Sequence, residues 1–308
     1  MKIQQLLKYL KCPDCGDSDL LPSSNGIDCT KCATGYSVIE GVPVLINKDK
    51  LNDQEKHQLT WFDKHYSEFS DDTYRLENWR LSMLKRIFEN DLIKTSVRNY
   101  LDIGCGATGY TVIESAKTDG TISIGTDISL EAMIRARRLA EKQKVGKRTA
   151  FIVCSAENLP FKDETFDYIS AISILEHISN DEKVIMNISR MIKKFGFLYV
   201  CVPNTYKRMW FFLWPLYYFM DKKIGHLRHY SEEGLIDLLS PNRLHCKRIF
   251  YNGHLIKFYQ IFLERLGLIH DKKWWLLEDR DLAFQHNKMG VQLNAIFVKD
   301  EATETYET

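Results

Sequence analysis

What this 308-residue chain lacks narrows its identity first. It carries no surplus of either charge: 42 Lys and Arg face 41 Asp and Glu, a net charge of +1. A broad electrostatic grip on nucleic acid is therefore not expected, although a local basic patch remains compatible with that balance. No apolar run is long enough to span a bilayer: 209–220 falls short of the ~20 residues a helix needs and is interrupted by Pro215. The opening Met1-Lys2-Ile3-Gln4-Gln5 leads into a polar helix over 3–10 instead of an apolar core, so no secretory signal is expected and a reducing cytoplasm is the expected compartment. No internal repeat is evident, and 301–308 read as a flexible tail. With 44% hydrophobic and 27% charged residues, the chain is an ordinary globular one, long enough for one sizeable domain and a smaller one.

The eight cysteines fall into two groups. Cys105, Cys154, Cys201 and Cys246 sit singly in apolar segments and read as buried thiols. Cys12-Pro13-Asp14-Cys15 and Cys29-Thr30-Lys31-Cys32 are two C-x-x-C pairs, each able to close a tight knuckle. In a reducing compartment the four thiolates are expected to hold zinc tetrahedrally. Four protein ligands leave no open position, so the metal is expected to be structural, supplying stability that a small unit cannot draw from burial. This zinc-ribbon domain is placed at 1–50. With its paired cysteines and its ending Gly41-Val42-Pro43-Val44-Leu45, the segment 8–47 resembles the small zinc-ribbon activator proteins that accompany certain tRNA methyltransferases.

A charged linker, 47–56, leads into a helical stretch that completes a linker or lid over 51–96. Leu76, Trp79, Leu84, Ile87 and Phe88 keep helical spacing on one face and read as core packing. Tyr66 or Tyr74 can alternatively cover a ligand at the mouth of the main domain.

The most informative stretch is Tyr100-Leu101-Asp102-Ile103-Gly104-Cys105-Gly106-Ala107-Thr108-Gly109, an apolar strand running into a glycine-rich turn. Its spacing lets a strand turn sharply into a helix while the backbone approaches a nucleotide-like ligand. Asp127 ends the next apolar strand, the place from which a carboxylate about 20 residues beyond such a loop accepts hydrogen bonds from a ribose. From Val97 onward strands and helices alternate, with strands expected at 98–103, 121–127, 149–153, 166–172, 196–202, 244–251 and 292–298. The fold class is therefore α/β: a Rossmann-like, seven-stranded, mostly parallel sheet with helices on both faces over 97–300, plus the small N-terminal ribbon. Ser129 is expected to cap one helix, and Ser179 with Glu182 to form a capping box for another.

The loop and Asp127 alone suit NAD equally well. Cys154-Ser155-Ala156-Glu157-Asn158-Leu159-Pro160-Phe161, then Thr165-Phe166-Asp167 and Leu175-Glu176-His177, resemble the class I S-adenosylmethionine-dependent methyltransferases of the type 11 kind. That resemblance implies S-adenosylmethionine as cofactor. It places Asp102, Gly104, Cys105 and Gly106 at the methionine end, Asp127 and Ile128 at the ribose, and Ser155, Ala156 and Glu157 at the adenine, with Ser173 at a neighbouring strand end. S-adenosylmethionine has no pyrophosphate, so no cluster of phosphate-binding lysines is needed. One departure stands out: the family often has Asp where this chain has Ser155, a weaker partner for the adenine amino group.

For the methyl acceptor the informative region is the aromatic insertion 204–230. Its dense aromatics, flanked by Lys207, Arg208, Lys222 and Lys223, suit a hydrophobic or lipid-linked small-molecule acceptor, with peripheral membrane contact through 206–223. They suit a buried helix or an interface equally well. His226 and His229 are the expected catalytic residues, one acting as base, with Arg228 as an anion clamp, whereas His177 is expected to be structural. Two other functions stand beside this one. The ribbon can grip RNA for a base methyltransferase, as in the rRNA guanine methyltransferases the arrangement also resembles, or it can serve a non-catalytic interaction protein.

Overall fold

The computed structural model describes residues 1–67, 97–208, 211, 214–254, 281 and 283–300; the helix expected over 74–90, Tyr74 with it, and the tail lie outside the described residues. Four short antiparallel strands, β1 (Leu20–Pro22), β2 (Gly26–Cys29), β3 (Gly35–Ile39) and β4 (Val42–Pro43), form the N-terminal sheet. The expected first helix is shorter than its apolar pattern, α1 (Ile3–Leu6), and tightens into a 3-10 turn over Leu7–Tyr9. A second helix, α2 (Asp53–Ser67), opens on a capping box in which Asn52 accepts from the Glu55 amide and Glu55 from the Asn52 amide, both at 2.9 Å.

The main sheet contains β5 (Asn99–Ile103), β6 (Ile122–Asp127), β7 (Thr149–Val153), β8 (Phe166–Ile172), β9 (Ile192–Pro203), β10 (Leu244–Asn252) and β11 (Gln292–Lys299), in the order β10-β11-β9-β8-β5-β6-β7. Strands β5 to β9 run parallel, and β11 lies antiparallel to both of its neighbours. Six of the seven strands fall within a residue of their expected bounds; β9 starts earlier, at Ile192. Alternation along β5 sends Leu101 and Ile103 to one face and Tyr100 to the other, each face carrying its own apolar core. Helices α3 (Tyr110–Ala116) and α4 (Leu130–Lys142) cover the Tyr100 face. Helix α5 (Asp181–Met191) covers the other, followed in the chain by α6 (Trp214–Ile224) and then by α7 (Glu232–Leu239) on that same face. Ser129 caps α4 as expected, accepting from the Ala132 amide at 3.1 Å. The cap of α5 is Asn180 and not Ser179: the asparagine side chain takes the Lys183 amide at 2.9 Å.

The ribbon is built into the edge of this sheet. Its buried residues Leu6, Leu10, Ile27 and Leu45 share one core with Ile124, Ile152, Phe161 and Ile169. Leu45 donates its amide to the Val153 carbonyl at 2.8 Å, so the ribbon's exit strand covers the edge of β7. Residues 9–13 hold the chain after β7: the Lys11 amide donates to Pro160 at 2.9 Å, the Lys162 amide to Tyr9 at 3.0 Å, and the Asn158 side chain to Pro13 at 2.9 Å.

Candidate functional site

Strand order reverses between β5 and β8, and the crevice outside their carboxyl ends is where open α/β sheets bind ligands. The glycine turn lies there. Gly104 and Gly106 adopt φ of +69° and +63°, a region that disfavours side chains, and a Cβ on Gly104 would come 2.8 Å from Ile174. Ser173, at the end of β8, also holds a left-handed φ of +52°, with its amide donating to Cys201 at 2.8 Å. Strain of this kind in a non-glycine residue gathers where a site is being shaped.

Asp127 sits at the end of β6 as its sequence position requires. One carboxylate oxygen accepts from the Gly106 amide at 3.1 Å and the other from the Ser129 amide at 3.0 Å. Burial pushes this carboxyl up to about 6, against the pull of those amides and with the charge of Asp63 adding to the rise. Ile128 is half-buried beside it. Asp102 behaves differently from expectation: it is 3% exposed, and its oxygens accept from the hydroxyls of Thr111 and Ser170. Its charge stands behind the loop instead of in the crevice. Cys105 likewise turns inward, its amide donating to Thr126 at 2.9 Å and its thiol lying near Met133, with burial raising the thiol's pKa well above the ordinary range.

Helix α2 lies over this crevice, within the stretch expected to be a linker or lid. The Tyr66 hydroxyl lies 3.0 Å from where a Gly106 Cβ would stand, the role expected of Tyr66 as a cover. Asp63 accepts from the Ser129 hydroxyl, and Arg135 of α4 holds the Tyr66 carbonyl. At the other end Glu55 accepts from the Ser155 hydroxyl, while Asn52 reaches Glu157 at 3.4 Å. Ser155 itself is buried, with Ala156 and Glu157 half-buried beside it. Thus a carboxylate delivered by α2 stands where the sequence supplies only a serine.

Beyond the glycine loop lies a polar cluster. The Phe62 ring meets the His177 ring edge-on at 5.8 Å, and His177 meets His226 at 4.7 Å. Gln54 donates to the carbonyls of His177 at 3.1 Å and Gly225 at 3.3 Å, tying α2 to both loops. His226 and His229, the expected catalytic pair, converge on Asp221 of α6: Nδ1 of His226 stands 2.7 Å from one oxygen, and Nε2 of His229 2.8 Å from the other. Burial alone would raise the Asp221 carboxyl, but these rings and the Tyr206 hydroxyl hold it well below the usual carboxylate range. His229 is also bound through Nδ1 to the Asn204 carbonyl at 2.7 Å, so both its nitrogens are taken. His226 keeps Nε2. His177 is 6% exposed, and its buried Nδ1 has no hydrogen-bond partner among the described residues; burial, with the His226 ring adding, lowers its pKa to about 4. Arg228 pairs with Asp181 at 2.5 Å, which ties down the expected anion clamp.

Among the described residues of the aromatic insertion, several large apolar side chains face solvent. Phe211, Trp214, Tyr218 and Phe219 are 75%, 42%, 50% and 69% exposed. Among the described residues no helix is long and apolar enough to cross a membrane.

In the ribbon the four cysteines converge, one sulfur from each lying within 4.8 Å of the others. Cys12 to Cys32 and Cys15 to Cys29 are both 3.6 Å apart, and all four are free thiols. A zinc ion with Zn–S bonds of about 2.3 Å needs tetrahedral edges of about 3.8 Å, so these residues fit it. Both knuckles are built alike: the Gly16 amide donates to the Cys12 carbonyl at 2.8 Å and the Ala33 amide to Cys29 at 3.0 Å, with Gly16 and Ala33 at positive φ.

Residues 101–200 match the family described as "Methyltransferase domain". Norajmaline N-methyltransferase of Rauvolfia serpentina is 38% identical over 94 residues, 30% of this chain and 32% of that one. The 27-O-demethylrifamycin SV methyltransferase of Amycolatopsis mediterranei is 29% identical over 151 residues, 48% of this chain and 55% of that one. The chain thus spans about a third to about half the length of these curated relatives. In fold, the chain resembles Haemonchus contortus phosphoethanolamine N-methyltransferase 2, solved with S-adenosyl-L-methionine, at 16% identity and a TM-score of 0.56, over 84% of this chain and 62% of that one.

Proposed function

We propose that the protein is an S-adenosylmethionine-dependent methyltransferase acting on a small-molecule acceptor. The observation that carries this reading is the crevice in which Asp127, the left-handed glycine turn and the 155–157 loop converge under α2. Asp127 takes the ribose hydroxyls and the turn lets the methionine end approach the backbone. The adenine lies along Ile128 and Ala156. The buried charge of Asp102 favours the cofactor's ammonium through space. S-adenosylmethionine supplies an electrophilic methyl on a sulfonium. The protein's part is alignment and exclusion of water, for which the Tyr66 and Phe62 roof is placed.

The methyl acceptor enters at the Glu176, His177 and His226 end, and the exposed aromatics of α6, the helix that Asp221 anchors to this cluster, favour an apolar or lipid-linked body. His226, held through Nδ1 by Asp221, stands at this end with Nε2 toward it; His229 positions Asp221. The four cysteines hold a structural zinc.

Calorimetry of the full chain with S-adenosylmethionine and with its demethylated product tests the cofactor, and transfer of labelled methyl into small-molecule, lipid and RNA fractions tests the acceptor. Binding of both nucleosides with label in the small-molecule fraction is expected; no binding of either would sink the reading. Within the cradle, Glu55 replaces the acid missing at Ser155 and accepts from the adenine amino group. Glu55→Ala is expected to weaken S-adenosylmethionine about tenfold, the worth of one hydrogen bond to a charged group, and to weaken an analogue lacking the amino group much less. Equal losses for both would remove that role.

A further inference from the structure

We propose that Glu176, His177 and His226 form a site for a divalent transition-metal cation at the methyl-acceptor end of the crevice. One ligand atom from each of the three lies within 4.8 Å of the others. Glu176 is 1% exposed and His177 6%, so two of the three donors are held out of bulk water. Among the described residues the Nδ1 of His177 has no hydrogen-bond partner, a state that is costly for a buried polar atom. A cation is the partner that a second imidazole and a carboxylate also favour, because ligand atoms of all three lie close enough together to share one ion.

His226 is prepared for the same task. Its Nδ1 is held by Asp221 at 2.7 Å, which fixes the ring and leaves Nε2 as the donor. A carboxylate behind a histidine is the usual support for a metal-binding imidazole. Asp221, His226 and His229 also cluster, but His229 spends both nitrogens, on Asp221 and on the Asn204 carbonyl. That second group is a hydrogen-bonded support, with Asp221 behind the metal ligands. Two nitrogens and one carboxylate oxygen select Mn²⁺, Fe²⁺ or Zn²⁺ over the all-oxygen preferences of Mg²⁺ and Ca²⁺. Three protein ligands leave coordination positions open. If the methyltransferase reading holds, on which this role alone rests, an oxygen of the methyl acceptor fills one of them and is polarised by the cation. Cation binding itself does not depend on that reading.

The probe is Mn²⁺, followed by the electron paramagnetic resonance of the free ion, titrated into full-length protein with its ribbon already loaded with zinc and without S-adenosylmethionine. One Mn²⁺ per chain is expected. His177→Gln and Glu176→Gln are each expected to lower its affinity at least tenfold. His245→Gln, whose ring pairs with Asp300 at the exposed surface, is expected to bind like the parent. The same titration with Zn²⁺ is expected to show an equivalent beyond the ribbon's. Absence of a bound equivalent for both ions, or parent-like affinity in both cluster variants, overturns the proposal. Melting curves confirm that each variant is folded, and separate S-adenosylmethionine calorimetry keeps a failed cofactor site distinguishable from a failed cation site.

Discussion

Asp127→Ala is expected to weaken S-adenosylmethionine binding at least ~100-fold. The two ribose hydroxyls donate to a charged oxygen pair, and each such bond is worth about 1.5–3 kcal/mol. Asp127 also organises the loop, since it holds the Gly106 and Ser129 amides at 3.1 and 3.0 Å. The same carboxyl sets a pH dependence. Burial raises it to about 6, so the ligand-free site loses its charge as pH falls through that value. The dissociation constant is expected to rise about tenfold per unit below pH 6 and to be flat above it. The sign for folding is opposite to that of an ordinary paired carboxylate: a raised acid destabilises the folded state when ionised, so this group favours folding more as pH falls from above 6 toward the unfolded value of 3.8. Calorimetry across pH 5 to 8 checks the first, and a pH-independent affinity in the parent, or parent-like affinity in the variant, would count against Asp127 as the ribose partner.

The second large effect lies in the ribbon. Cys29→Ser is expected to release zinc and unfold residues 1–47, because structural zinc contributes about 10 kcal/mol or more to folding in units this small. The consequence reaches the cofactor crevice. The β7 edge loses its Leu45 partner, and the chain over 158–162 loses its bonds to Tyr9, Lys11 and Pro13. Loss of about 3–5 kcal/mol of such contacts corresponds to a fall in melting temperature of about 10 °C, with aggregation through the bared edge. The loop after β7, proposed to hold the adenine, is the part of the crevice tied to the ribbon, so S-adenosylmethionine affinity is expected to fall with it. Zinc analysis, thermal melting and calorimetry of the parent, the variant and chelated protein give the answer. A chelated protein that keeps both its melting point and its affinity would show that the ribbon neither depends on the metal nor supports the loop.

Much of this was legible before any coordinates. Strand bounds followed from apolar runs whose ends are marked by glycine or polar residues, and β9 departed because its first residues are a charged extension, Lys193 and Lys194, that apolarity does not mark. The cap at Asn180 was misplaced by one residue because Ser179 offers an equally good hydroxyl on sequence grounds, and only the backbone geometry chooses between them. Asp102 looked like a ligand from its place in the motif, whereas Thr111 and Ser170 turn it into a buried charge behind the loop. His226 and His229 looked equivalent, and the Asn204 carbonyl separates them.

The sequence alone determined where the glycine turn, Asp127 and the four cysteines stand, because spacing within a few residues of one strand or knuckle is fixed by local backbone geometry. Tertiary structure decided what stands opposite them. Glu55 meets Ser155 across 100 residues of chain, and Tyr66 meets Gly106 only because α2 folds back over the crevice. The ribbon likewise became a support for the loop after β7 by docking on the free edge of that strand. Contacts between residues so far apart depend on how whole elements pack, and no periodicity or motif in the chain encodes that locally.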